Sequence, residues 1–197
     1  MIPVILASQS PRRKELFSLI RPDFTIEVSH AEETLTLPPD LSLEKEPEFL
    51  AKAKAAEIAS RHPNTLVVGA DTIVLCPTDE GKLTALGKPK DEEDAKAMLR
   101  LLSGKRHYVV TGCCLVYNEK AVSFSVKTAV DFYPLTTQEI DAYTATKEPM
   151  DKAGAYGIQG YGSLLIQGIE GDYFTVVGLP VSRLSREMST FLSQLEE

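Results

Sequence analysis

The stretch "PVILASQSPRRKELF", residues 3–17, decides the fold class. Its first five residues are continuously apolar, the pattern of a short strand covered on both faces. The run breaks at Ser8, and beyond Arg12 the apolar positions are Leu16, Phe17, Leu19 and Ile20, a helical spacing closed by Arg21-Pro22. A buried strand that feeds directly into a helix belongs to an α/β sheet. The turn between them sits at a strand end, where open α/β sheets bind ligands. It carries Ser8, Arg12 and Arg13. Cations in a first helical turn oppose the helix dipole, and a bound anion removes the mismatch. A solvated helix turn is the alternative.

Outward from this unit, residues 24–28 form a second short strand candidate. The polar, proline-rich stretch over 29–47 is the longest irregular segment and contains Glu32-Glu33. Pro47 suits the first turn of a helix running to about residue 61. On its wheel Lys54 falls between Leu50 and Ile58 and points inward, while Lys52 lies toward the small alanines. "TLVVGADTIVLC", residues 65–76, is the strongest strand signal, and its centre carries Asp71. A carboxylate inside an apolar strand is costly unless it is paired, hydrogen-bonded or metal-bound. Next come a turn into a short return strand, "GKPKDEED" (residues 87–94), and a helix over 92–103 capped by Asp91. Two alternating runs, 108–117 and 121–133, read as a hairpin, and Thr136 to Glu139 has capping-box spacing before another helix. The glycines of "DKAGAYGIQGYG", residues 151–162, imply close backbone approach. Residues 163–169 and 173–177 read as strands, and Val181, Leu184, Met188, Phe191 and Leu195 as the core stripe of a final helix. One domain over 1–197 is expected, with the block over 106–146 as candidate second lobe.

The net charge of −7 excludes generic nucleic-acid binding. Any anion site is therefore a local positive pocket. Three cysteines, Cys76, Cys113 and Cys114, have neither disulfide-framework nor zinc-ligand spacing and read as buried thiols of a reducing compartment. No signal peptide and no membrane-length apolar run is found, so a cytoplasmic location is expected, with no membrane partner. His30, His62 and His107 stand beside polar residues and read as surface. P-loop, dinucleotide-binding and nucleophile-elbow motifs are lacking.

What remains falls into two charge classes. Arg12, Arg13, Lys54 and Lys88 are cations in or near turns, and Glu33 and Asp71 are acids. Together they suit a polyphosphate bound with a divalent metal: arginine forks and lysines hold phosphate oxygens, and carboxylates hold Mg²⁺. Each residue also has a plainer reading: Asp71 as a structural acid, Lys54 as a snorkelling side chain, Lys88 and Glu33 as solvated loop charges.

The motifs "LASQSPRRKELF", "AEET", "GADTIV", "GKPKD", "LSGKRHYVVTG", "DKAGAYGIQG" and "GDYFTVVGLP" occur in order across the whole chain, and together they resemble the Maf family of nucleoside triphosphate pyrophosphatases. The resemblance implies an elongated, two-lobed α/β fold like that of inosine triphosphatase, a mixed sheet flanked by helices around a central cleft. It implies hydrolysis of a nucleoside triphosphate to the monophosphate and pyrophosphate with Mg²⁺ or Mn²⁺, and a homodimer. By position Asp71 is the proton acceptor, with Glu33, Lys54 and Lys88 in the catalytic set and Glu33 and Asp71 toward metal. Ser8, Arg12, Arg13, Thr72, Asp151, Lys152 and Gln159 are the implied substrate contacts. Arg12, Thr72 and Gln159 match the subgroup acting on dTTP and UTP rather than on 7-methyl-GTP. A uracil or thymine edge presents two acceptors flanking one donor, and an amide such as that of Gln159 can both donate and accept. A nucleotide-binding regulator of cell division is the alternative from another functional class.

Overall fold

The structure is a computed structural model and describes residues 2–31, 35–78 and 80–196. β1 (Val4–Ala7) is buried at every position. Ser10 caps α1 (Pro11–Ser18), its Oγ accepting the Arg13 N–H at 3.4 Å, and Pro11 occupies the turn where a missing N–H costs nothing. Leu16 and Phe17 anchor this helix in the core. β2 (Thr25–Ile26) lies parallel to β1. α2 (Glu46–Ala59) starts with Pro47 in its first turn, and β3 (Leu66–Pro77) pairs parallel with β1 through Val4↔Leu66 to Ala7↔Gly69. β4 (Leu83–Leu86) returns antiparallel on the far half of β3. Asp91 caps α3 (Glu92–Leu102) by accepting the Asp94 N–H at 2.8 Å.

β5 (Arg106–Tyr117) and β6 (Lys120–Phe132) are joined by a two-residue turn with Asn118 at φ 51°, a left-handed conformation that asparagine tolerates. Both bonds of the Thr136/Glu139 capping box are made at the start of α4 (Thr137–Ala145). β7 (Ile166–Glu170), α5 (Tyr173–Val177) and α6 (Val181–Glu196) complete the chain. The seven strands form one mixed sheet in the order β2-β1-β3-β5-β6-β7, with β4 on β3. It is parallel at β2-β1-β3 and antiparallel at β3-β4 and β6-β7. The fold is therefore mixed α/β, a sheet flanked by helices. Among the described residues no helix is long and apolar enough to cross a membrane.

Two compact units divide the chain: residues 1–71, 111–126 and 178–197 make the first, and residues 72–110 and 127–177 the second. The first has a core in which Ala51, Ala55 and Ile58 of α2 pack on Val67 and Cys114. In the second, Leu99 and Leu102 of α3 meet Val109, Phe132, Ile140 and Tyr156. All three cysteines are buried and unbridged. Burial pushes the Cys113 thiol up to about 12 and that of Cys114 up to about 11, so neither is a nucleophile at neutral pH.

Three readings of the sequence are corrected. Residues 173–177 are helical rather than extended, because Asp172 Oδ2 accepts both the Thr175 N–H at 2.6 Å and its hydroxyl at 2.7 Å, nucleating a helical turn that the β-branched composition opposes. Residues 163–165 belong to a 3₁₀ segment, Gly160–Leu165, and the strand begins only at Ile166. His107 is not on the surface. Strand alternation puts the exposed Arg106 on one face of β5 and His107 on the other, where it is 0% exposed, packs edge-on against Phe132 and Tyr156, and bonds the Tyr156 hydroxyl at 2.7 Å.

Candidate active site

The site begins with a close approach of helix to strand. In β3, Val67, Gly69 and Asp71 alternate onto one face, and α2 presents Ala51, Lys54, Ala55 and Ile58 to it at helical spacing. A Cβ at Gly69 would lie 2.2 Å from the Ala51 carbonyl oxygen and 3.0 Å from the Ala55 Cβ. Only glycine opposite alanines lets the backbones come that near. One step further along the strand, Lys54 Nζ donates to Asp71 Oδ1 at 2.7 Å. The two side chains are 12% and 16% exposed, so the pair is largely shielded from solvent. Lys52, on the outer side of the helix, is exposed.

Glu46, in the first turn of α2, is a second acid of this region. Burial raises its carboxyl pKa, and the negative charge of Asp71 raises it further. Glu46 and Asp71 are thus two hard carboxylates in mutual repulsion, with Lys54 bonded to Asp71, and such a pair of oxygen donors suits a divalent cation. Among the described residues no group of three or more His, Cys, Asp or Glu side chains is placed to hold a metal. Glu33 lies outside the described residues.

Arg13 is built into the backbone beside Asp71. Its Nε donates to the Gly178 carbonyl at 2.8 Å and its Nη1 to the Ala70 carbonyl at 2.9 Å. The guanidinium fork thus ties α1 to the peptide immediately before Asp71 and to the entry of α6, a geometry that a lysine cannot reproduce. Ser8 is buried, and its Oγ accepts the Ser10 N–H at 3.2 Å, shaping the turn before α1. Arg12 is half-buried in the first turn of the same helix.

The remaining predicted residues lie in the second unit. Thr72 follows Asp71 and so points to the opposite face of β3. Lys88 is exposed in the connection from β4 to α3, next to Gly87, whose carbonyl accepts the Gly154 N–H at 3.0 Å. Lys152 Nζ donates to Asp151 Oδ1 at 2.7 Å and to the Glu148 carbonyl at 2.5 Å. Gln159 is exposed and immediately precedes the 3₁₀ segment that begins at Gly160. The structure thus joins Lys54, Asp71 and Glu46, and separately Asp151 and Lys152. Glu46 and Glu148 are not legible as site residues in the sequence. An acid at a helix start is ordinary dipole compensation, and Glu148 stands alone between Lys147 and Pro149 with no periodic signal.

The model of the Maf family, described as Maf-like protein, matches residues 3–191. The chain belongs to the Maf family. A dTTP/UTP pyrophosphatase of Bacillus mycoides (strain KBAB4) is 50% identical to it over 198 residues, covering 99% of this chain and 98% of that protein. A dTTP/UTP pyrophosphatase of Bacillus cytotoxicus is 51% identical over 190 residues, 95% of this chain and 94% of the relative. Among solved structures, a HAM1 protein from Coxiella burnetii superposes with a TM-score of 0.55 at 13% identity, covering 98% of this chain and 100% of the other. At that identity the likeness concerns the fold. It places this Maf chain's mixed sheet and helices in an architecture that a distant protein shares over its whole length.

Proposed function

We propose that the chain hydrolyses dTTP and UTP to the nucleoside monophosphate and pyrophosphate, as one Maf-type domain acting in the cytoplasm. The observation that carries this reading is the half-identity, over nearly the full length of both chains, to relatives named for that activity. The Lys54–Asp71 pair gives it a chemical centre. Water adds to the α-phosphorus, the bond from that phosphorus to the α–β bridging oxygen breaks, and pyrophosphate leaves with the bridging oxygen. Asp71 accepts the proton that the attacking water gives up. Lys54 fixes the direction of the Asp71 carboxylate, and Arg13 fixes the peptide that carries it.

Substrate binding divides between charge and readout. Ser8, Lys88, Asp151 and Lys152 serve the phosphates and sugar, whereas Arg12, Thr72 and Gln159 serve the base. The planar amide of Gln159 offers a donor and an acceptor to a pyrimidine edge, and a wrong base leaves those groups unpaired. A divalent metal fits the donor set through Asp71 and Glu46, with Glu33 added by the family motif, because Mg²⁺ takes one or two carboxylates and completes its shell from substrate phosphates and water. When bound, it supplies neutralisation of the phosphate charge.

The test is pyrophosphate release from a panel of nucleoside triphosphates with Mg²⁺ or Mn²⁺. Turnover of dTTP and UTP well above that of GTP is expected. Equal rates across all bases, or nucleotide binding with no monophosphate formed at any metal concentration, would overturn the reading.

A further inference from the structure

We infer that Glu148 is a positioning residue for base recognition, setting the backbone that presents Gln159. The inference rests on the reading above, in which Gln159 contacts the pyrimidine edge. Glu148 begins a 3₁₀ turn, Glu148–Asp151, directly after Lys147, which takes a left-handed φ of 64°. Its own backbone is tied at both ends: its N–H donates to Thr146 Oγ1 at 3.2 Å, and its carbonyl accepts Lys152 Nζ at 2.5 Å. The side chain then crosses to the far end of the glycine-rich segment. Glu148 Oε1 accepts the Tyr161 N–H at 3.3 Å. Gly160, between Gln159 and Tyr161, has a φ of 63°, and a Cβ there would lie 2.6 Å from Oε1 and 3.0 Å from Oε2. The carboxylate therefore packs on the Cα of Gly160, the residue that follows Gln159.

The other side of Gln159 is held from the same place. Gly157 packs on the stem of Lys152, where a Cβ would come within 2.8 Å of Cε, and its N–H donates to the Tyr143 hydroxyl at 3.2 Å. Lys152 is the side chain bonded to the Glu148 carbonyl, so both flanks of Gln159 refer back to Glu148. One feature argues against a packing role alone. Glu148 Oε2 is buried with no hydrogen-bond partner among the described residues, a costly arrangement that an apolar residue of similar shape would avoid. What the carboxylate does supply is an acceptor for Tyr161 and a wall against Gly160. Both constrain the turn that displays an exposed amide.

The experiment compares Glu148→Ala, Glu148→Gln, Gly160→Ala and Gln159→Glu by steady-state kinetics on UTP and GTP, with thermal unfolding of each. A misplacement of about 1 Å in a positioned group costs about 100-fold. Glu148→Ala is therefore expected to raise KM for UTP by about 100-fold, with kcat within about threefold and GTP turnover unchanged. Glu148→Gln, which keeps the acceptor for Tyr161, recovers most of the loss. Gly160→Ala pushes the same turn from the opposite side, and its effect on the UTP/GTP preference should be smaller in the Glu148→Ala background than in the parent, because the clash partner is gone. If Gln159→Glu abolishes the preference while Glu148→Ala leaves it intact, the inference fails and the reading of Gln159 stands. If Gln159→Glu leaves the preference intact, the reading of Gln159 falls and takes the inference with it. If Glu148→Ala lowers kcat on UTP and GTP alike, the role is structural and the inference is wrong.

Discussion

Gly69→Ala is the sharpest probe of how the fold makes the site. The added methyl would stand 2.2 Å from the Ala51 carbonyl oxygen, a backbone atom that cannot rotate away. An ordinary contact needs at least 3.4 Å, so α2 must retreat from β3 by about 1 Å, in line with the cost of overpacking a core, about 1–3 kcal/mol. For a chain of this length about 2 kcal/mol corresponds to a fall in Tm of roughly 4–8 °C. The same retreat acts on Lys54, one residue before Ala55 on the face that moves, and lengthens its 2.7 Å bond to Asp71. A shift of that size in a catalytic group predicts a loss of about 100-fold in kcat/KM for dTTP. The assay is pyrophosphate release on protein well below its Tm, with Gly168→Ala as control. An added Cβ there meets nothing within 4 Å. Turnover within threefold of the parent, together with the expected fall in Tm, would refute the claim that the α2–β3 approach sets the Lys54–Asp71 geometry.

Three further outcomes are expected. Lys54→Met should lower kcat by about 100-fold, while Lys52→Met, at an exposed position on the same helix, stays within threefold; equal losses in the pair would remove the special place of Lys54. Arg13→Lys breaks the fork to Ala70 and Gly178, so urea unfolding should show a stability loss of about 1–3 kcal/mol beside any loss of activity; unchanged stability would mean that the carbonyl contacts hold nothing. His107 is held neutral by burial, its pKa lowered to about 4 from 6.5, so the unfolded chain takes up a proton first as pH falls. Stability from this group is present above pH 6.5, is lost progressively down to pH 4, and amounts to about 3 kcal/mol over that window. Unfolding curves of the parent and His107→Gln should converge across that range, and parallel curves would contradict the assignment.

Much of the fold is legible in residue pattern because burial imposes it locally. The apolar run before Ser8 and the helical spacing after Arg12 give β1 and α1 directly, and Thr136 with Glu139 gives a helix start whose two bonds are both made. Asp71 stands out for an energetic reason: a charge in the middle of an apolar strand must be matched, and Lys54 matches it. Local pattern fails where a distant group decides. The β-branched stretch Tyr173–Val177 turns helical because Asp172 caps it and Thr128 holds Asp172 in place from β6. His107 has charged and polar neighbours, yet only the covering Tyr156 and Phe132 reveal that its face of the strand points inward. Glu46 and Glu148 carry no local signal, since their importance arises from Asp71 and Gly160, which the chain brings to them from 25 and 12 positions away.

The measurement closest to the centre of this account is the product analysis of dTTP turnover by the parent protein and by Asp71→Asn, which keeps the shape of the side chain and removes its basicity. The parent should release dTMP and pyrophosphate in equal amounts with a divalent metal present. The variant should remain folded and bind dTTP, with a Tm lowered by the loss of the Lys54 counter-charge, yet turn over about 1000-fold more slowly well below that Tm. Undiminished turnover by Asp71→Asn, or orthophosphate in place of pyrophosphate from the parent, would contradict the assignment of Asp71 and the reaction built on it.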